Sequence, residues 1–178
     1  MIFTYSKLTP EHKIGAFDCG DADLNDYVIN AALDHQKELL AVTYIIFDST
    51  DEIIGFFSVF NDKISHTDLT SINAWKKIKQ ILPRGKGYKS YPAIKIGRLG
   101  ISAKHQKNGL GTKIIDFIKI WFSEENKTGC RFITVDAYSD SISFYQKNGF
   151  KFLTTKDEQE DTRQMYFNLG QLIVDSKL

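Results

Sequence analysis

The sequence predicts a mixed α/β (α+β) fold: a central mixed, mostly antiparallel sheet with helices on both faces. Three stretches carry that prediction. Residues 41–47 and 53–60 are rich in β-branched and aromatic side chains and flank the polar stretch 48–52, which reads as an antiparallel hairpin. Residues 93–102 read as a strand in which Ile94 and Ile96 and, after a break in register, Leu99 and Ile101 are the apolar positions. A glycine loop follows, and then Leu110, Ile114, Phe117, Ile118, Trp121 and Phe122 recur at helical spacing. Residues 132–137 form the next strand, parallel to the first because a helix crosses between them.

The remaining elements follow from local signals. An edge strand is expected over 2–8, and a turn through Thr9, Pro10 and Glu11. Asp18, Gly20 and Asp21 offer a helix N-cap, and Leu24, Tyr27, Val28, Ala31 and Ala32 then recur as in one helix, bent or straight, to about Leu39. Leu69, Ile72, Trp75 and Leu82 mark a further helix that Pro83 stops. The same stretch holds Lys76, Lys77, Lys79, Arg84, Lys86 and Lys89, the densest run of positive charge. Gly129 is placed as the C-cap of the long helix, while Ser139, Asp140 and Ser141 cap a short one that Asn148 and Gly149 end. Residues 150–153 and 164–169 are the last strands.

With 178 residues, 42% of them hydrophobic, the chain fits a single domain over 1–178. Its 23 basic and 22 acidic residues leave a net charge of +1, so no global field draws it to nucleic acid or anionic lipid. No stretch approaches the ~20 apolar residues that span a bilayer, so no membrane partner and a cytoplasmic location are expected. Cys19 and Cys130 have no Cys-x-x-Cys spacing and read as small buried hydrophobes. His12, His35, His66 and His105 show no paired spacing, and no metal is expected.

The chemistry concentrates in the loop Gln106, Lys107, Asn108, Gly109, Leu110, Gly111, Thr112. A strand, a short glycine loop and a helix leave several first-turn N–H groups unpartnered beside the positive end of the helix dipole, a site for a phosphate or pyrophosphate. A dinucleotide fingerprint needs a third glycine where Ile114 stands, and a triphosphate loop needs Gly-Lys-Ser/Thr where Gly111, Thr112 and Lys113 run in another order. Neither fits.

The spacing Gln106-x-x-Gly109-x-Gly111 after a strand resembles the acetyl-CoA pyrophosphate loop of the GNAT superfamily of N-acetyltransferases, and residues 141–150 resemble that family's helix ending in Phe-Tyr-x-x-x-Gly-Phe. Closer likenesses, at Phe17-x-Cys19-Gly20-x-x-x-Leu24, at Gly55-Phe56-Phe57-x-Val59 and from Gly97 to Ile101, resemble a branch of toxins that acetylate the amino group of aminoacyl-tRNA. That likeness is interrupted over 62–90, which is expected to be a variable insertion. The resemblance implies acetyl-CoA as co-substrate, no metal, and a parallel strand pair splayed at the acetyl-CoA site. It implies coenzyme contacts from Leu99, Gly100, Ile101, the loop residues 106–112 and Ser141, and Tyr145 as general acid. The acceptor it implies is a primary amine, that of aminoacyl-tRNA in the toxin branch, with an antitoxin protein as partner and a homodimer compatible. An acetyltransferase for a small-molecule or protein amine, and an acyl-CoA-binding module without chemistry, stay open. Each named residue also has a structural reading: Tyr145 as a core aromatic beside Phe144, Arg98 as an edge salt-bridge partner as readily as a substrate contact, and Asp136 and Asp140 as structural acids.

Overall fold

The computed structural model describes residues 3–69, 72–80, 82, 88–124 and 128–175. Seven strands form one mixed sheet: β1 (Thr4–Lys7), β2 (Val42–Phe47), β3 (Ile53–Ser65), β4 (Ser90–Ile101), β5 (Phe132–Tyr138), β6 (Lys151–Phe152) and β7 (Thr162–Asn168), in the order β1-β2-β3-β4-β5-β7-β6. β4 and β5 are the parallel pair, joined through Ala93↔Phe132, Ile94↔Ile133 and Lys95↔Thr134. The pairs β1/β2, β2/β3, β5/β7 and β6/β7 are antiparallel, β2/β3 being the expected hairpin. The chain packs as two compact units, Met1–Phe60 with Ile96–Ile115, and Asn61–Lys95 with Asp116–Leu178.

In the first unit, α1 (Ala22–Asp26) opens with Asp21, whose carboxylate accepts the Leu24 N–H at 3.0 Å. The expected single helix is interrupted: a π-helical turn, Tyr27–Ala31, separates α1 from α2 (Ala32–Lys37). The turn sets Tyr27 and Val28 side by side in a core that also holds Phe17, Cys19, Ala32, Ile45 and Phe56. Asp48 closes the β2–β3 turn by accepting the N–H groups of Thr50 (2.8 Å) and Glu52 (3.0 Å).

In the second unit, β5 and β7 pair along their full length, from Phe132↔Asn168 to Tyr138↔Thr162. Phe132 joins Ile64, Leu69, Trp75, Ile78, Ala93 and Leu153 in its core. β3 runs beyond the expected hairpin because the half-buried Asp62 and the buried Ile64 alternate with the exposed Asn61 and Lys63, an alternation that the polar residues mask. Trp75 and Ile78 of α3 (Ile72–Gln80) face the core while Lys76, Lys77 and Lys79 are exposed; Pro83, Arg84 and Lys86 lie outside the described residues, as does Ile2.

Two expected caps are corrected. Gly129, expected as the C-cap of α4 (Leu110–Glu124), does not take the left-handed backbone of such a cap; residues 125–127 lie outside the described residues. Ser141, which precedes α5 (Ile142–Lys147), makes no side-chain cap hydrogen bond; a 3₁₀ turn, Ser139–Ser141, leads into the helix instead. Gly149 does end α5, at φ +79°. A sixth helix, α6 (Gly170–Asp175), was not expected.

Candidate active site

The loop begins where β4 ends. Ser102 is buried and donates its N–H to the Ile54 carbonyl at 3.0 Å, and a 3₁₀ turn, Ala103–His105, follows. Lys107 (φ +62°) and Gly109 (φ +75°) both take left-handed backbone, which turns the chain back so that α4 starts at Leu110. Leu110, Ile114 and Ile115 are buried. The first intrahelical bond of this end is Lys113 N–H to the Gly109 carbonyl, 3.2 Å. The N–H groups of Leu110, Gly111 and Thr112 therefore precede the helical ladder, at the positive end of its dipole. Nothing lies within 4 Å of where a Gly109 Cβ would stand, and Lys107, Asn108 and Thr112 are exposed. This is an open cradle of backbone donors suited to a diphosphate.

Gln106 behaves differently from its neighbours. Its side-chain Nε2 donates to the Cys19 carbonyl at 2.7 Å and to the Ile101 carbonyl at 3.0 Å, so both of its N–H donors are engaged within the protein.

The strand leading to the loop is shaped by two glycines. A Cβ on Gly97 would stand 2.5 Å from the Phe60 ring, and one on Gly100 would stand 2.5 Å from the Phe56 ring. Phe56 and Phe60 are an even number of residues apart and Gly97 and Gly100 an odd number, which a regular pleat does not allow; the register of β4 against β3 breaks here. Leu99 and Ile101 are half-buried on either side of the covered Gly100. Of the two readings of Arg98, strand-edge salt-bridge partner or substrate contact, the first is not met: among the described residues it pairs with no carboxylate. Its guanidinium donates to the Gly97 carbonyl (2.8 Å) and stacks over the Tyr27 ring at 5.1 Å.

In the second unit, Tyr145 sits on α5 with 7% of its surface exposed, edge-on to Phe144 (5.1 Å between centroids) and Phe150 (5.3 Å). Burial pushes its phenol far above the usual tyrosine range, so the hydroxyl stays protonated at working pH. Ser141 is half-buried ahead of the same helix.

This unit also holds a polar cavity of about 180 Å³, lined in part by Asp62, Lys95, Thr134, Asp136 and Gln164. Lys95 pairs with Asp136 at 2.7 Å, and the Thr134 hydroxyl donates to Asp62. Asp136 is thus an ion-pair partner, as its structural reading expects. No motif points to Asp62, Lys95 or Thr134; their signal in the sequence is that polar residues at 95, 134 and 136 interrupt otherwise apolar strands. Cys19 is buried, as expected, but Cys130 is only half-buried, its thiol donating to the Phe132 carbonyl at 3.2 Å. Among the described residues, no group of three or more His, Cys, Asp or Glu side chains could hold a metal, and no helix is long and apolar enough to cross a membrane.

A glycine cradle of backbone donors at a helix start, following the fourth strand of a mixed sheet and preceding a strand parallel to it, suits the diphosphate of a coenzyme. The chain belongs to the GNAT family: residues 41–152 match the model of the acetyltransferase (GNAT) domain. It is an N-acetyltransferase by that membership. Solved structures extend the match in fold. AtaT, in complex with acetyl-methionyl-tRNAfMet, superposes with a TM-score of 0.77 at 20% identity, covering 97% of this chain and 98% of that one. A tyrosine-to-phenylalanine mutant of KacT gives 0.75 at 20% identity, over 96% and 98% of the two chains. A tyrosine-to-phenylalanine mutant of the AtaT toxin, bound to the C-terminus of the antitoxin AtaR and acetyl-CoA, gives 0.71 at 18% identity over 99% of each.

Proposed function

We propose that this acetyltransferase transfers the acetyl group of acetyl-CoA to the amino group of aminoacyl-tRNA, as the toxin of a toxin–antitoxin pair, and that residues 1–178 work as one domain. The observation that carries the reading is the reach of the fold match: the similarity to AtaT and KacT covers 96–99% of this chain, well outside the 41–152 of the family model. One of those neighbours is complexed with an acetylated aminoacyl-tRNA, and another with an antitoxin fragment and acetyl-CoA.

In this reading the N–H groups of Leu110, Gly111 and Thr112, with the turn Lys107, Asn108, Gly109, hold the diphosphate of acetyl-CoA, while Gln106 shapes the turn. The backbone of Leu99, Gly100 and Ile101 pairs with the pantetheine arm and steadies the thioester carbonyl, where negative charge develops during acyl transfer. Ser141 contributes a hydroxyl to the coenzyme. The acceptor nitrogen bonds to the thioester carbon, the C–S bond breaks, and the Tyr145 hydroxyl supplies the proton that the departing thiolate takes. The acceptor's own N–H proton leaves to solvent. A phenol whose acidity burial has weakened protonates a thiolate uphill, so the contribution of Tyr145 lies in the fixed position of its proton.

The near-neutral balance of the chain supplies no general grip on tRNA, so phosphate contacts have to be local. The exposed lysines 76, 77 and 79 of α3 supply them, within the stretch 62–90 that we read as an insertion specific to this protein. An antitoxin that covers the enzyme and a homodimer belong to the same reading.

The test is direct. Incubation with radiolabelled acetyl-CoA and charged tRNA is expected to place label on the aminoacyl group. Turnover on a polyamine or a peptide amine with unlabelled tRNA would sink the toxin reading and leave an acetyltransferase of another amine. Acetyl-CoA binding without turnover on any amine would make the protein a binding module.

A further inference from the structure

Gln106 ties together three pieces of chain that are remote in sequence. From the loop, its carboxamide holds the Ile101 carbonyl, where β4 ends, and the Cys19 carbonyl, in the turn that leads into α1. The same turn is joined to the loop a second time, by the Ala103 N–H donating to the Asp18 carbonyl at 2.9 Å. Within the turn, Asp18 accepts from the Gly20 N–H and the Asn25 Nδ2, each at 2.8 Å, and Asn25 accepts from the Cys19 N–H at 2.9 Å. Gly20 supplies the left-handed backbone at φ +78° that this closure needs. The next residue along the loop from Gln106 is Lys107, itself left-handed, so the carboxamide anchors the chain where it reverses into the diphosphate cradle.

We infer that Gln106 is a positioning residue: it makes the coenzyme loop and the Asp18–Cys19–Gly20 turn one rigid body, so that filling the cradle stiffens the entrance of α1. The inference rests on the reading of 106–112 as the diphosphate site. A side chain that only lined the cradle would have donors pointing at the anion; here both N–H groups are spent on carbonyls. Losing them leaves two carbonyls without their donor and a left-handed turn without its anchor.

Cys19 reports on the clamp. It is 6% exposed, with its thiol 3.1 Å from the Asn25 carboxamide oxygen, so a thiol reagent reaches it only when the turn opens. In a Cys130→Ala background it is the single thiol. Without coenzyme, Gln106→Ala and the isosteric Gln106→Glu, which removes the donors but keeps the bulk, are expected to speed alkylation of Cys19 about tenfold, with thermal melting as a check that both variants fold. Saturating acetyl-CoA is expected to slow alkylation in the parent and not in either variant. In turnover, both variants raise KM for acetyl-CoA about tenfold and leave kcat within twofold. Equal alkylation of parent and variants overturns the clamp, and protection that survives in both variants overturns the coupling. Calorimetry on the parent separates the two readings: no uptake of acetyl-CoA sinks the diphosphate site, whereas uptake with Cys19 indifferent sinks the clamp alone.

Discussion

The ring of Phe56 on β3 lies over Gly100 on β4 so closely that a Cβ at Gly100 would stand 2.5 Å from the ring's Cε1 and 3.0 Å from its Cδ1. Phe56 is fully buried and is itself packed by Phe17 and Tyr27, so the ring has no free direction in which to retreat. The strand backbone assigned to the pantetheine arm is therefore set in place by a missing side chain.

Gly100→Ala is expected to destabilise the protein by about 1–3 kcal/mol, the cost of an extra methyl group in a packed interior. Denaturant unfolding measures it. Phe56→Leu in the same chain should recover part of the loss, because the two changes share one contact. A Gly100→Ala protein as stable as the parent would show that the ring yields.

Gly109→Ala tests the cradle rather than the strand. No atom lies within 4 Å of the new methyl, so any cost comes from the backbone at φ +75°, about 1 kcal/mol for a residue with a Cβ. Stability should fall by that amount, while KM for acetyl-CoA rises at least tenfold as the turn relaxes and the N–H groups lose their aim. Unchanged KM would remove this loop from the diphosphate site.

Much of this architecture is readable in the sequence, and the failures have causes. The hairpin, the strand–loop–helix unit and the Phe-Tyr-x-x-x-Gly-Phe ending are local, and local periodicity finds them. The apparent break in β4 is visible too, but its cause is long-range: glycines occupy the covered positions under Phe56 and Phe60, so the buried face shows no apolar letters. The π turn at Tyr27 leaves a helical pattern nearly intact and cannot be read from spacing. Gly170 opens α6, where the mobile end of the Arg131 side chain lies 2.1 Å from a would-be Cβ, a long-range neighbour that local spacing does not reveal. Of the candidate site, the cradle is legible, and the Gln106 carboxamide contacts are not, since Cys19 is remote in sequence.

Tyr145→Phe separates chemistry from packing. Among the described residues the hydroxyl has no hydrogen-bond partner, so its removal should change stability by less than about 1 kcal/mol. Acetyl transfer should fall about 10²-fold or more, with the affinity for acetyl-CoA unchanged. The same variant has a signature in alkali. Burial raises the folded-state pKa above the ordinary 10.0, so the stability contribution is intact below pH 10. As pH climbs beyond that value the unfolded chain releases the phenolic proton and the folded one keeps it, and the folded state loses ground. Urea midpoints of the parent should therefore drop more steeply above pH 10 than those of Tyr145→Phe. Parallel curves would mean that the phenol is not held neutral by the fold.

The lysines of α3 carry the last prediction. Lys76, Lys77 and Lys79 are exposed while Trp75 and Ile78 are buried, so charge can be reversed there without touching the core. Replacing all three by Glu should raise KM for aminoacyl-tRNA strongly and leave KM for acetyl-CoA unchanged, because only the acceptor carries a polyphosphate backbone to this surface. A salt series distinguishes a phosphate contact from a general loss of fit. Each lost lysine–phosphate contact lowers the slope of log affinity against log salt by about 0.9 on a duplex, so the triple variant should flatten that dependence. If the variant binds charged tRNA with the parent's affinity and salt slope, the helix is only a solvated face, and the grip on tRNA must come from elsewhere in the chain.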